Sequence, residues 1–231
     1  MTRTNEFGQP IGEAVDWSPR PEVGPVTLVG RCSRVEPLAA HHLDALYDAL
    51  VLRSPPSIWT YLSGGPFDGK PGLFGWLRMH DEDPGIVPHV LCGPDARPAG
   101  VASYLRLDGR NGSVEVGAIA YAAALQRTTA ATEVMYLMMR HVFEDLGYRR
   151  YEWKCDSLNE PSRRAAERLG FRYEGRFRHA LVYKGRNRDT DWFSVTDTEW
   201  PGVKAALEAW LAPVNFDTDG RQIEPLRVPR G

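Results

Sequence analysis

The stretch from residue 114 to residue 155 constrains the fold of this chain more than any other. Val134, Met135, Leu137, Met138, Val142, Phe143 and Leu146 recur at helical spacing over residues 132–146, and Gly147 stands at the expected C-cap. Apolar runs of strand type flank this helix at 114–121 and 148–155. A helix set directly between two strands predicts a sheet with helices packed on it, an α/β architecture.

The remaining elements fit the same class. Residues 26–38 read as a strand that passes through Glu36-Pro37 into a helix over 39–52, with Leu43, Leu46 and Leu50 on its apolar side and Pro55-Pro56 as its stop. A second helical pattern covers 73–80. Strands at 88–92, 100–107 and 114–121 form an antiparallel meander, with Asp108-Gly109-Arg110-Asn111-Gly112 as the turn between the last two. Downstream come a short helix over 161–169 stopped by Gly170, a strand over 171–175, and a hairpin of 180–184 with 192–195 about a turn at 185–191. The result is a mixed α/β sheet, mostly antiparallel, with flanking helices.

At about 150 residues per domain, 231 residues leave room for one large domain. Residues 1–25 hold Pro10, Pro19, Pro21 and Pro25 with Gly8, Gly12 and Gly24, a composition that resists helix and sheet. They form an arm, whose Phe7, Ile11, Val15 and Trp17 predict that at least part of it lies against the body. Residues 26–212 make the single domain, and 213–231 an irregular tail.

Composition excludes several function classes. A hydrophobic content of 42% beside 25% charged residues excludes a wholly disordered chain. A net charge of -2 gives no basic footprint for nucleic acid. No apolar run approaches the ~20 residues of a membrane span, and no leader pattern opens the chain, so the expected compartment is the cytoplasm. Cys32, Cys92 and Cys155 are too few and too far apart for a disulfide framework or a zinc spacing, and read as reduced thiols. His41-His42 lacks a companion ligand cluster, and neither H-E-x-x-H nor G-x-S-x-G occurs, so no metal is expected. Gly64-Gly65-Pro66-Phe67-Asp68-Gly69-Lys70 matches part of a phosphate loop, but Pro71 follows where a hydroxyl is needed and Pro66 removes an N–H donor.

A better anion site lies where the strand over 114–121 passes through a short loop into the N-terminus of the strongest helix. A helix start aims free N–H groups at whatever lies before it. Gln126, Arg127, Thr128 and Thr129 add side-chain donors there.

Beyond this loop run Asn159, Ser162 and Leu169-Gly170-Phe171, in the order strand, N-x-x-S, short helix, L-G-F. In these residues the sequence resembles the GNAT superfamily of acyl-CoA-dependent N-acyltransferases, in its RimJ/RimL-like branch, which modifies ribosomal-protein N-termini. The resemblance spans about residues 28–200 and includes Trp59-Thr60-Tyr61-Leu62. Gly8-Gln9-Pro10-Ile11-Gly12 and Gly185-Arg186-Asn187-Arg188-Asp189-Thr190 look like features of one RimL-like subgroup.

The resemblance implies a GNAT fold with a V-shaped splay at the cofactor site, and acetyl-CoA or another acyl-CoA as co-substrate. The family's loop Q/R-x-x-G-x-G/A falls on Gln126, Arg127, Thr128, Thr129, Ala130 and Ala131, with Thr129 in place of the central glycine. It further implies that Ile119, Ala120, Thr132, Asn159 and Ser162 line the cofactor channel, that a backbone N–H near 118–121 holds the thioester carbonyl, that Glu115 is the general base, and that Ser162 lies near the sulfur as acid. Glu133, in the helix's first turn, would repel phosphate unless it faces away. The acceptor is expected at Trp59, Tyr61, Phe67, Trp76 and Arg188, with Arg186 and Asp189 nearby to read a carboxylate or an amine. An acyl chain ending in a carboxylate would need a spare cation, Arg127 or Arg178. The function so implied is direct acyl transfer, most simply of acetyl, to a primary amine of a protein N-terminus or a small molecule, by an enzyme whose relatives are commonly dimers. The alternative is a non-catalytic acyl-CoA-binding module, for which Thr129 is the main argument.

Overall fold

The computed structural model describes residues 3–229; Met1, Thr2, Arg230 and Gly231, the ends of the expected arm and tail, lie outside the described residues. A two-stranded ladder, β1 (Arg3–Thr4) and β2 (Pro10–Ile11), precedes an eight-stranded sheet. The sheet contains β3 (Leu28–Val29), β4 (Arg34–Pro37), β5 (Ile86–Cys92), β6 (Pro98–Asp108), β7 (Ser113–Tyr121), β8 (Arg150–Asp156), β9 (Arg172–Tyr183) and β10 (Arg186–Thr196). Their spatial order is β3-β4-β5-β6-β7-β8-β10-β9. Every neighbouring pair is antiparallel except β7 with β8. That pair is parallel because α3 (Thr129–Arg140) carries the chain back between them, as a crossover must.

The helices divide between the two faces. On the back face α3 and α5 (Trp200–Leu211) share one core with Val114, Val116, Tyr151, Trp153, Phe193 and Val195. On the front face α1 (Leu43–Tyr47) and α2 (Lys70–Glu82) bury Leu46, Leu73 and Leu77 against Val90, Cys92, Val101 and Ala120. These contacts lie on β5–β7, so the front of β8–β10 has no helix in this core. The fourth helix, α4 (Glu160–Arg168), packs on β8 and β9.

Several local expectations are corrected. The strand over 26–38 breaks into β3 and β4 because the backbone turns at residues 30–33, where Gly30 N–H donates to the Ser33 carbonyl at 2.9 Å. The helix over 39–52 is a 3-10 turn, the short α1 and a π turn in succession. The main helix starts at Thr129 rather than 132, because Thr128 caps it by accepting from Ala131 N–H. The turn at 185–191 shrinks to Lys184-Gly185, both left-handed at φ +49° and +69°. Residues Arg186 to Asp191 therefore lie in strand β10: Arg186, Asn187 and Arg188 pair with β9 alone, and Thr190 and Asp191 pair with both β9 and β8. Helix α5 had no sequence expectation, although Trp200, Val203, Leu207, Trp210 and Leu211 carry its buried stripe.

Both termini fasten onto this frame. Trp17 donates its indole N–H to the Arg110 carbonyl at 2.8 Å, and its ring lies against Gly112, where a Cβ would sit 2.3 Å away. Val23 is buried in the back core. At the other end Trp210 donates to Gln222, and Asn215 ties the Trp210 and Glu224 carbonyls together.

Glu133 binds the sheet edge to α3. Its carboxylate accepts from Arg31 N–H, Cys32 N–H and the Ser33 hydroxyl at 2.9, 2.8 and 2.7 Å, and so faces away from the helix N-terminus. Burial pushes this carboxyl up, but the three hydrogen bonds outweigh burial and leave it below its ordinary value. The stabilisation is then present above the ordinary glutamate range and lost as pH falls through the lowered folded value. Replacing Glu133 by Ala orphans those donors and is expected to cost about 2–4 kcal/mol in urea unfolding at pH 7. The cost should shrink below about pH 4; a loss under about 0.5 kcal/mol would contradict the assigned role.

Candidate active site

The parallel ladder between β7 and β8 is short. Ser113, Val114, Glu115 and Val116 pair with Arg150, Tyr151, Glu152 and Trp153, and no pair follows. Beyond them β7 carries a bulge, since Ser103 faces Gly117 while Val101 faces Ala120, and Ala118 takes a left-handed φ of +49°. At Gly117 a Cβ would lie 2.5 Å from Leu105 Cδ1, so any side chain there would require Leu105 to shift. The two strands part, and residues 117–121 of β7 and 154–156 of β8 face each other without a ladder. This is the splay that the sequence resemblance implies, with Ile119 and Ala120 on its wall.

The loop after β7 closes the far end of the splay. Gln126 donates to the Tyr121 carbonyl at 3.1 Å, and Arg127, exposed, holds φ at +61°. Thr128 Oγ1 donates to the Leu125 carbonyl at 2.7 Å and caps Ala131 N–H, which leaves the amides of Thr129 and Ala130 open at the helix start. The position with left-handed backbone is thus Arg127, not Thr129. Thr129 is the first residue of α3, where no glycine conformation is required. Thr132 is buried and its hydroxyl accepts from Arg168 at 3.0 Å, so it is turned toward α4.

Across the splay, Asn159 caps α4 by accepting from Ser162 N–H at 3.2 Å, and the Ser162 hydroxyl accepts from Trp153 Nε1 at 3.0 Å. Asn159 meets the capping role that its type favours, while the Ser162 hydroxyl, in the first turn of the helix, also reaches the Cys155 thiol. Burial pushes Cys32, Cys92 and Cys155 up to about 11, so all three are protonated near neutral pH.

On the front face Glu115 is 5% exposed. Arg106 Nε and Lys154 Nζ each lie 3.1 Å from its Oε2. Lys154, itself buried, also reaches Glu152 at 2.7 Å and lies 3.5 Å from the centre of the Trp192 ring. Arg150 then bridges Glu152 and Glu174. Burial raises the Glu115 carboxyl above its usual range, and the two cations only partly offset it.

The expected acceptor residues divide. Trp59, Phe67 and Trp76 stack edge-on or tilted, with Trp59 to Trp76 at 5.5 Å. Trp59 and Trp76 are buried in the front core, which corrects their expected place on an acceptor surface: their rings are used in packing the loop before α2 onto that helix. Gly64 and Gly65 lie under those rings, where a Cβ would come within 2.4 and 2.6 Å, and Lys70 pairs with Asp44 at 2.6 Å. The Gly-rich run there serves aromatic packing. Tyr61 is half-buried, and Lys184 donates to the Trp59 carbonyl at 2.6 Å, so the β9–β10 hairpin tip touches this loop. Arg188 lies on β10, not in a turn, with its guanidinium 5.7 Å over the Tyr183 ring. Lys154 and Arg106 are not marked by the sequence reading; the alternation of Glu152 and Lys154 with buried Tyr151 and Trp153 is the available signal for Lys154. Two surface recesses, of about 250 and 420 Å³, are lined by residues that include Asp81 to Pro84 and by Trp17, Arg149 and Thr198. Neither touches the splay residues.

Residues 34–172, more than half the chain, match the family model described as acetyltransferase (GNAT) domain. The chain belongs to the GNAT acetyltransferase family. A Brucella melitensis GCN5-related N-acetyltransferase of known crystal structure superposes with a TM-score of 0.88 at 43% identity, covering 91% of this chain and 96% of that one. A GNAT-family chain from Chromobacterium violaceum ATCC 12472 gives 0.76 at 34% identity, covering 84% and 99%. Among curated proteins, "Putative ribosomal N-acetyltransferase YdaF" of Bacillus subtilis (strain 168) is 30% identical over 129 residues, 56% of this chain and 69% of that protein, in keeping with the RimJ/RimL-like branch. As a GNAT acetyltransferase the protein transfers an acyl group from acyl-CoA to an amine. Among the described residues no helix is long and apolar enough to cross a membrane.

The charge on Lys154 is expected to hold Glu115 down against burial. In Lys154→Met the Glu115 carboxyl midpoint, followed by carbon-13 NMR, should rise by about one unit or more, the scale of one opposite charge within 4–6 Å. An unchanged midpoint would contradict the coupling.

Proposed function

We propose that the protein transfers acetyl from acetyl-CoA to the primary amine of a peptide N-terminus or a small molecule, with Glu115 as general base. The observation that carries this reading is the splay itself, which joins a helix N-terminus at one end to a buried carboxylate on the front face. The residues present suit an acyl-CoA. The open amides of Thr129 and Ala130 suit its pyrophosphate, with Gln126, Arg127 and Thr128 beside them. The unladdered walls at Ile119, Ala120 and Asn159 suit an extended arm, and the ordinary backbone at Thr129 favours turnover over a merely binding module.

Bound there, the acyl-CoA supplies an electrophilic thioester carbonyl and a thiolate leaving group. The bulge amides of β7 donate to the carbonyl oxygen as charge develops on it. Glu115, with Arg106 and Lys154 opposing the effect of its burial, takes the proton from the attacking amine as nitrogen bonds to the carbonyl carbon. Ser162 donates toward the sulfur as the carbon–sulfur bond breaks. Tyr61, Phe67 and Arg188 border the acceptor's approach. A cytoplasmic, dimeric enzyme is part of this reading, and the exposed twelve-residue edge strand β9 is the surface where a second copy would add.

Thiol release from acetyl-CoA with an amine panel tests the proposal. Glu115→Gln should lower kcat by roughly 10²–10⁴-fold with little change in acetyl-CoA binding. It should leave Tm unchanged or raised, because a carboxyl whose folded pKa is raised destabilises the fold once it ionises above that value. Wild-type turnover should fall on an acid limb lying above the ordinary glutamate pKa of about 4.3. Full activity in Glu115→Gln would remove Glu115 from the chemistry.

A further inference from the structure

Three successive front-facing residues of β10 each carry a buried polar atom without a hydrogen-bond partner among the described residues: Arg188 Nε, Thr190 Oγ1 and Trp192 Nε1. Alternation along a strand places them on one face. That face is the one with Glu115, since Trp192 pairs with Lys154 and Thr190 with Asp156. The bulges in the β9–β10 ladder fall on the β9 side, so the alternation along β10 is unbroken. Buried polar groups are rarely left unpaired. Unlike Glu115, Lys154 and Arg163, whose buried atoms have ion-pair partners within 3.1 Å, these three have no such partner among the described residues and are open to a ligand.

The chemistry of that ligand follows from what is missing. An arginine fork and an indole N–H only donate, and a hydroxyl can do so. The nearby acids are all committed: Asp156 to Leu158 N–H and the Tyr183 hydroxyl, Asp189 to His179 N–H and Asn187, Asp191 to Arg163 and Arg176, and Glu115 to Arg106 and Lys154. Arg188 has no ion pair among the described residues. The column needs oxygen acceptors, and at Arg188 an anion.

We propose that β10 forms a carboxylate subsite, in which Arg188 holds a carboxylate and Thr190 and Trp192 take the oxygens of the chain that leads from it toward Glu115. The proposal rests on the acyltransferase reading, because it names the substrate class of that same site. Four strand steps, about 13 Å, separate Arg188 from Trp192, so the carboxylate lies a short peptide's length from the reacting amine rather than on an α-amino acid. The two cations expected from sequence to serve a carboxylate, Arg127 and Arg178, are both exposed, one in the loop before α3 and one on the edge strand. The carboxylate can belong to the acceptor or to a dicarboxylic acyl chain, and the experiment separates these.

Trialanine as free acid and as C-terminal amide, and succinyl-CoA beside acetyl-CoA, are titrated calorimetrically into wild type, Arg188→Gln and the near-isosteric Thr190→Val. Thiol release is followed in parallel. The expected result is a preference of about tenfold or more for the carboxylate member of one pair, the scale of a charge-assisted hydrogen bond, abolished in Arg188→Gln and reduced in Thr190→Val. A preference in the peptide pair assigns the carboxylate to the acceptor, and one in the CoA pair assigns it to the acyl chain. No preference in either pair, or one that survives Arg188→Gln, overturns the subsite. Arg188-dependent binding without thiol release would overturn the acyltransferase reading and leave the subsite standing.

Discussion

The structure depends on where one parallel ladder stops. β7 and β8 hydrogen-bond over four residue pairs and then separate at Gly117. Two local features enforce this: a bulge that turns Ala118 into the left-handed region, and a glycine pressed against Leu105. Because α3 must return the chain to begin β8, its N-terminus stands at the mouth of the gap thus formed. The back of the gap is closed by α3 and α5, while the front over β8–β10 lies clear of the α1–α2 core. A ligand whose one end is anionic and whose other end must meet a second molecule fits an opening of this shape.

The front face is electrically unusual for a sheet. Arg106, Glu115, Lys154, Glu152, Arg150 and Glu174 alternate in sign across four strands, each within ion-pair distance of the next. Removing charges from water is costly, and such pairs are weak evidence of stability. Each inner member of the chain here has two counterions, which keeps the buried charges tolerable. The arrangement leaves Glu115 with a raised proton affinity, because burial outweighs the two cations beside it. Functional sites often hold such locally unfavourable groups at the expense of stability.

Much of this was legible in sequence, and the reasons for the rest are physical. The periodicity of Val134 to Phe143 marked α3, and the N-x-x-S and L-G-F segments marked α4 and the family. The polar run Arg-Asn-Arg-Asp within 185–191 predicts a turn, yet a strand whose front face carries Arg188 and Thr190 and whose back face holds Asp191 between two arginines is polar too. Trp59 and Trp76 looked like an acceptor wall, since nothing local separates an aromatic that packs from one that binds. Lys154 lies thirty-nine positions from Glu115 in the chain, and only the four-pair ladder brings them together. Thr129 departs from the family's glycine, and the backbone explains why the departure is tolerable: the left-handed residue of that loop is Arg127.

The central claim, that the splay with Thr129 at its mouth accepts an acyl-CoA, is tested most directly by thermal unfolding with acetyl-CoA, and with ATP and magnesium as the control. A ligand present at a hundred times its dissociation constant should stabilise the native state by about 2.7 kcal/mol, a Tm rise of several degrees for acetyl-CoA alone. An unchanged Tm at millimolar acetyl-CoA, or a rise with ATP and magnesium instead, would contradict it.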